Sequence, residues 1–369
     1  MKYCVLYPEA ENVHLIKDVG IIAYKLHKLF GYDAYVASYK NGEYPYINDE
    51  LKGLKLDFIE KTSKNDIFNG INYLKKNAKE IDVLQLFHVT LRTVFYAFAF
   101  KFFNPKGKIF LKLDCTERLV SIIAAMNPIK RKILNIFLNK SDLIGVEQEK
   151  LYNELKKLLK SQREKLVYIP NGIDFERKDT YTNLSYAEKE NIILHVGRIG
   201  SEEKCNDNIM EAFSKIKNND WKLVFVGPIE ESFNNYIEDF YSKNPNLKEK
   251  IIFKGPIYDR DKLYAEYKKA KVFCLASKYE SFAIALLEAA SFGDVIVSTD
   301  VGIASELTSL KNGIIVENNS IENLVKAFDA VTNTDNLLNM SEETKEICKN
   351  RFDLNKIVTN LHSNLQNLR

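Results

Sequence analysis

The chain has 369 residues, 46% of them hydrophobic and 12% aromatic, with a formal net charge of +3. That length suits two domains, each large enough for its own core, and 15 Gly and 8 Pro leave no low-complexity tract. So modest a basic excess, with no recognition module in view, argues against nucleic-acid binding.

Strands are expected near Tyr3, Ala34, Lys55, Val83, Ile109, Leu143 and Leu166, and again near Ile192, Leu223, Ile251, Val272, Val295 and Gly313. Helical patterns fill the intervals. That alternation predicts two parallel sheets covered by helices. The opening Met1-Lys-Tyr-Cys-Val-Leu-Tyr7 leads directly into an acidic loop, so no signal peptide is expected. The loop Pro8-Glu-Ala-Glu-Asn-Val-His-Leu-Ile-Lys-Asp18-Val-Gly20 runs into a helix predicted over residues 16–30. The buried strand Val83-Leu-Gln-Leu-Phe-His88 ends in a histidine, and the next, Ile109-Phe-Leu-Lys-Leu-Asp114, ends in an aspartate.

Thr93-Val-Phe-Tyr-Ala-Phe-Ala-Phe-Lys-Phe-Phe103 is strongly aromatic but too short for a bilayer span, which needs about 20 residues. The basic excess concentrates from Pro128 to Lys165. There Lys130, Arg131, Lys132 and Lys140 surround an apolar stripe of Ile129, Ile133, Ile136 and Phe137. Basic faces with exposed aromatics suit anionic membranes or lipid-linked acceptors; a core helix beside a solvated basic helix is the plainer reading.

A polar stretch, residues 174–190, interrupts the alternation and marks the expected domain boundary. Beyond it, Asn191-Ile-Ile-Leu-His-Val-Gly-Arg198-Ile-Gly-Ser-Glu-Glu-Lys204 is a strand entering a glycine-containing loop bracketed by two cations. The following helix turns Ile209, Met210, Phe213 and Ile216 inward. Ligands of open α/β sheets bind at the carboxyl ends of strands, where this loop falls. Arg can grip a diphosphate bidentately while Lys supplies a point charge. The dinucleotide fingerprint G-x-G-x-x-G is absent.

Asp259-Arg-Asp261 is formally a D-x-D metal motif, but it opens a helix where Asp is the expected cap. No metal is expected there or elsewhere. Next, Val272-Phe-Cys-Leu-Ala276 reads as a buried strand and residues 282–292 as a helix. Glu280 then lies in the connecting loop, with Glu288 about two turns into the helix. The amides of Ser281, Phe282 and Ala283 would form an anion site at the helix start. Such a pair of carboxylates beside an anion site suits a polyhydroxylated, phosphorylated ligand. Five cysteines, Cys4, Cys115, Cys205, Cys274 and Cys348, have no metal or redox spacing and fit a reducing cytoplasm.

Together these pieces resemble the retaining glycosyltransferases of family 4. The resemblance rests on Val196-Gly-Arg198 with Lys204, Phe225-Val-Gly227, Phe253-Lys-Gly255, Glu280 through Glu288, Asn312-Gly-Ile-Ile-Val316 and Tyr168-Ile-Pro-Asn-Gly-Ile-Asp174. It implies a GT-B fold: two Rossmann-like, doubly wound α/β domains whose parallel sheets face an interdomain cleft. The expected division is an acceptor-binding domain over residues 1–175, a nucleotide-sugar domain over 176–352, and a closing helix, 353–369, crossing back to the first.

By that resemblance the enzyme moves a hexose from a nucleotide-diphosphate donor, a UDP-sugar, to a hydroxyl acceptor with retention. It uses no cofactor and no metal. Gly197, Arg198 and Lys204 would meet the donor diphosphate, with Gly227 nearby. Glu280 would hold the sugar hydroxyls and Glu288 the ribose, and the backbone near Ile257 and Tyr258 would meet the base. The family's Gly-Gly pair after the first strand is missing here; Lys17, Asp18 and Gly20 are the substitutes. His88 is the first candidate for the N-terminal catalytic contact and Asp114 the second. Expected partners are the donor and a glycan, lipid-linked or protein acceptor of bacterial cell-surface assembly, in the cytoplasm or peripherally on the membrane. A non-catalytic donor-binding partner subunit and a non-hydrolysing sugar-nucleotide epimerase are the other readings.

Overall fold

The computed structural model describes residues 1–177, 185–218, 220–309, 311–317 and 320–368. Part of the polar stretch read as the domain boundary, residues 178–184, lies outside them. Two compact units are present, Met1–Asn171 with Leu354–Arg369, and Gly172–Asp353.

Each predicted strand is present. The first unit holds β1 (Lys2–Leu6), β2 (Asp33–Ser38), β3 (Lys55–Phe58), β4 (Val83–Phe87), β5 (Lys108–Leu113), β6 (Leu143–Val146) and β7 (Leu166–Tyr168). They form one seven-stranded sheet in the order β3-β2-β1-β4-β5-β6-β7, parallel throughout. At its centre Val5 lies opposite Val36 on one side and Gln85 on the other. Successive side chains point to opposite faces of a strand, so each strand feeds two cores. Cys4, Leu6, Leu84, Leu86, Ile109, Leu111 and Leu113 enter one; Tyr3, Val5, Val83, Phe87 and Phe110 enter the other. The helix Leu354–Gln366 covers the second core through Leu354, Ile357, Val358, Leu361 and Leu365. There Phe30 stacks on His362 with ring centroids 3.8 Å apart.

The second unit holds β8 (Glu190–Val196), β9 (Lys222–Val226), β10 (Ile251–Phe253), β11 (Ala270–Leu275), β12 (Val295–Thr299) and β13 (Gly313–Val316). Its parallel sheet runs β10-β9-β8-β11-β12-β13. In both sheets the order in which strands are added reverses once, between β1 and β4 and between β8 and β11. A crevice opens at the carboxyl ends of the strands at such a switch point.

Two predicted helices differ in extent. The helix expected over residues 16–30 begins only at Ile21 and runs to Phe30, and a separate single turn, Asn12–Leu15, precedes it. A Cβ on Gly20 would lie 2.3 Å from the Leu15 carbonyl oxygen, so the chain doubles back too tightly for one helix to continue. Lys17, Asp18 and Gly20 therefore lie between the pieces. The helix expected over 282–292 is Ile284–Ser291. Ala283 caps it in the left-handed conformation at φ 66°, and Gly302 packs against the Phe282 carbonyl where a longer helix would run. Glu288 thus sits about one turn into the helix, not two.

Candidate functional site

In the second unit the loops after β8 and β11 flank the switch point and touch. Lys204, from the first loop, forms an ion pair with Glu280, from the second, and both side chains are only 15% exposed. Ser277 Oγ donates to the same Glu280 oxygen at 2.7 Å. The backbone joins the loops too, with Lys278 N donating to Glu203 O at 2.8 Å. Thr299 Oγ1, at the end of β12, donates to Ser277 O at 2.6 Å.

Arg198 is 63% exposed and pairs with Glu203. A hydrogen bond from Glu203's own backbone, helped by Ser201, Arg198 and Lys204, holds that carboxyl below its usual range. One shielded cation and one exposed cation thus stand at the mouth of the crevice.

Beneath them His195, fully buried in β8, ties the loop to the sheet. Its Nδ1 meets Cys274 O at 3.0 Å and its Nε2 meets Asn206 Nδ2 at 3.1 Å. Asn206 Oδ1 accepts from Gly200 N at 2.8 Å, which fixes the loop's far side. Burial pushes His195 down to about 4, so it is neutral near pH 7. Neighbouring loops continue the ladder: Gly197 N donates to Val226 O at 3.0 Å and Gly227 N to Gly255 O at 2.9 Å.

Glu288 accepts from Tyr267 Oη at 2.9 Å, and burial with that carboxylate raises the tyrosine well above its ordinary range. Tyr267 reaches it from the helix Arg260–Lys269. That helix is capped by Asp259, whose Oδ1 accepts from Asp261 N at 2.9 Å and Lys262 N at 3.1 Å. The D-x-D is therefore built into a helix cap, and among the described residues no three His, Cys, Asp or Glu side chains gather as a metal site. Ile257 is half-buried against the core, while Tyr258 is 86% exposed. The left-handed Ala283 shifts the helix start, so its first-turn amides are those from Ile284 onward rather than Ser281 to Ala283.

In the first unit His88 follows β4 directly and is held left-handed at φ 58°, its backbone N donating to Lys112 O at 3.0 Å. Asp114 follows β5, and its Oδ1 is buried without a hydrogen-bond partner among the described residues. Next to His88, through Lys112, stands a network that sequence reasoning missed. Lys112, fully buried within β5, pairs with Glu147 and reaches Asp18 Oδ2 at 3.2 Å and Asn171 Oδ1 at 2.9 Å. Burial pushes Glu147 up to about 8 despite Lys112, whereas Glu147 and Asp18 together overcome burial and raise Lys112. Facing two acidic side chains, Lys112 keeps its charge despite full burial. A lysine inside the apolar run Ile109-Phe-Leu-Lys-Leu was the available signal.

Three non-glycine residues have positive φ among those described: His88, Cys205 and Ala283. All three lie in loops leaving strands that border the two switch points. Backbone strain of order 1–3 kcal/mol per residue is retained where the surroundings over-determine it, and it clusters at binding sites.

Known proteins resemble the chain. Residues 177–350 match the family model for glycosyl transferases group 1. N-acetyl-alpha-D-glucosaminyl L-malate synthase of Bacillus anthracis is 24% identical over 289 residues, 76% of this chain and 73% of that protein. An uncharacterized glycosyltransferase of Haemophilus influenzae is 27% identical over 94 residues, a match spanning 25% of this chain and 27% of that protein. HepE of Anabaena, solved with UDP and glucose, superimposes with TM-score 0.72 at 14% identity, covering 100% of both chains. The fold is GT-B.

Proposed function

Because the chain is a glycosyltransferase of GT-B fold, with residues 177–350 matching group 1, we propose that it transfers a hexose from a UDP-sugar to a hydroxyl acceptor with retention of configuration. The second unit binds the donor, and the first unit binds the acceptor. The observation that carries the reading is the Lys204–Glu280 ion pair, which joins the two loops at the switch point beside Arg198.

Arg198, Lys204 and the first amides of the helix Ile284–Ser291 hold the diphosphate. Negative charge grows on that group as the glycosidic bond breaks, and fixed cations and dipoles aimed at it lower the barrier. They do so without a metal. Glu280, already aligned by Ser277, accepts from the sugar hydroxyls, and Glu288, oriented by Tyr267, accepts from the ribose. Ile257 and the exposed Tyr258 meet the uracil. His88, held in a strained conformation at the end of β4, is the first unit's leading candidate for the transferred sugar, and Asp114, at the end of β5, is the second. Retention follows when the acceptor attacks from the face the leaving group vacates. The acceptor is a glycan, lipid-linked or protein hydroxyl of bacterial cell-surface assembly, and five cysteines outside any disulfide suit the cytoplasm.

A panel of sugar nucleotides read by thermal stabilisation tests this. A UDP-sugar at 100 times its dissociation constant should add about 2.7 kcal/mol. Glu288→Ala should weaken UDP itself. Glu280→Ala should keep UDP but lose discrimination among donor sugars. If no sugar nucleotide stabilises the protein, the reading fails; the reverse pattern in the two variants would exchange their roles.

A further inference from the structure

Three helices of the first unit bury one side in the same core and leave the other side apolar. From the helix Leu91–Phe103, Tyr96, Ala97 and Phe100 point inward, while Leu91, Phe95, Phe98 and Phe102 are exposed. These outward residues follow the 4-3-4 spacing of a single helical face. In the helix Pro128–Leu138, Leu134, Phe137 and Leu138 enter that core, while Ile129, Ile133 and Ile136 form an exposed face with the same spacing. From the helix Glu117–Ala124 between them, Val120 and Ile123 point in and Ile122 points out. Phe102 is 79% exposed and Ile129 73%. Ordinary surfaces scatter such residues singly; a run of them on one side marks a contact face.

Charge separates the possible occupants. The three helices carry one acidic residue, Glu117, and it is paired with Lys150. Lys130 and Lys132 are exposed beside the isoleucines, and Lys140 Nζ sits 5.1 Å from the Phe98 ring centroid, linking the two stripes. Arg131 does not join them: its guanidinium donates to Ile123 O at 2.6 Å and Leu158 O at 3.3 Å, bracing the helix from within. An apolar face fringed by lysines, almost free of carboxylates, repels a second copy of itself electrostatically and complements an anionic lipid surface. At 13 residues the helix Leu91–Phe103 cannot span a bilayer, but it can lie in the headgroup layer.

We propose that this face docks the protein on an anionic membrane, with Phe102, Ile129 and Ile133 inserted at the acyl boundary and Lys130, Lys132 and Lys140 on lipid phosphates. The full chain should sediment with vesicles of mixed phosphatidylcholine and phosphatidylglycerol, not with phosphatidylcholine alone, and high salt should release it. Reversing Lys130, Lys132 and Lys140 to Glu should lower partitioning by about a hundredfold or more, since each basic residue contributes several-fold. Ile129→Ser with Ile133→Ser should lower it at low salt as well. Both variants should keep the thermal stabilisation by a UDP-sugar, which separates loss of docking from loss of the donor site or of the fold. Failure of the wild-type chain to bind the mixed vesicles at low salt overturns the proposal, as does unchanged binding by both variants. Conversion of a dimer to a monomer by the serine variant would assign the face to self-association instead.

Discussion

Lys204 and Arg198 look equivalent in the sequence and are not equivalent in the fold. Lys204 is shielded and shares its proton-rich end with Glu280, whereas Arg198 extends into solvent. Either change to Ala is expected to slow transfer by about a hundredfold or more, roughly 2.7 kcal/mol. Only Lys204→Ala should also lower stability, by about 1–3 kcal/mol, because it leaves a partly buried carboxylate uncompensated. A transfer assay and denaturation midpoints check both; equal midpoints for the two variants would contradict the difference in shielding. His195 carries a pH signature. Folded, it stays neutral down to about 4, while the unfolded chain takes up its proton near the ordinary 6.5. Stability from this group is therefore complete above 6.5 and falls as pH drops towards 4, by about 3 kcal/mol. Buried Asp294, raised to about 7 by desolvation, works in the opposite direction over much of the same window. The test is consequently the difference between wild type and His195→Gln: the wild-type stability should drop more steeply below pH 6.5. Residue types made Lys204 and Glu280 visible as candidates. Their direct pairing, and the left-handed twist at His88, Cys205 and Ala283, had no sequence signal, because none of those three is a glycine.

Strands were legible as elements because buried parallel strands are continuous apolar runs, as in Val272-Phe-Cys-Leu-Ala276. Helix starts were less so. Residues 16–30 keep an apolar helical pattern from their start, yet the helix begins only at Ile21, after a backbone approach between Leu15 and Gly20 that periodicity does not encode. The glycine loops of the second unit obey the same kind of constraint. Gly227 has φ +147°, and a Cβ there would lie 1.8 Å from the Gly197 carbonyl oxygen. Gly227→Ala should therefore force apart the loops after β8 and β9. A loss of about 3 kcal/mol or more is expected, with sugar-nucleotide stabilisation abolished. A denaturation midpoint within error of wild type would mean the loops can part freely.

At the scale of the whole molecule, two parallel sheets followed from the alternation of patterns, whereas the strand order is visible only in the fold. The second unit is one continuous segment, Gly172–Asp353, inserted into the first. Its ends are tied to each other, Ile173 N donating to Phe352 O at 2.8 Å. A fragment of that span should fold alone and still be stabilised by UDP; a fragment that stays unfolded in circular dichroism would refute this independence. The first unit has no such freedom, because Leu354, Ile357, Val358, Leu361 and Leu365 close its second core. On the ribosome, then, the second unit can mature while the earlier-made one waits with its second core only partly covered until residues 354–366 emerge. A chain cut short just before Leu354 should keep its nucleotide and be recognised by chaperones and proteases all the same, so that such a lesion would reveal itself as lost abundance rather than lost chemistry.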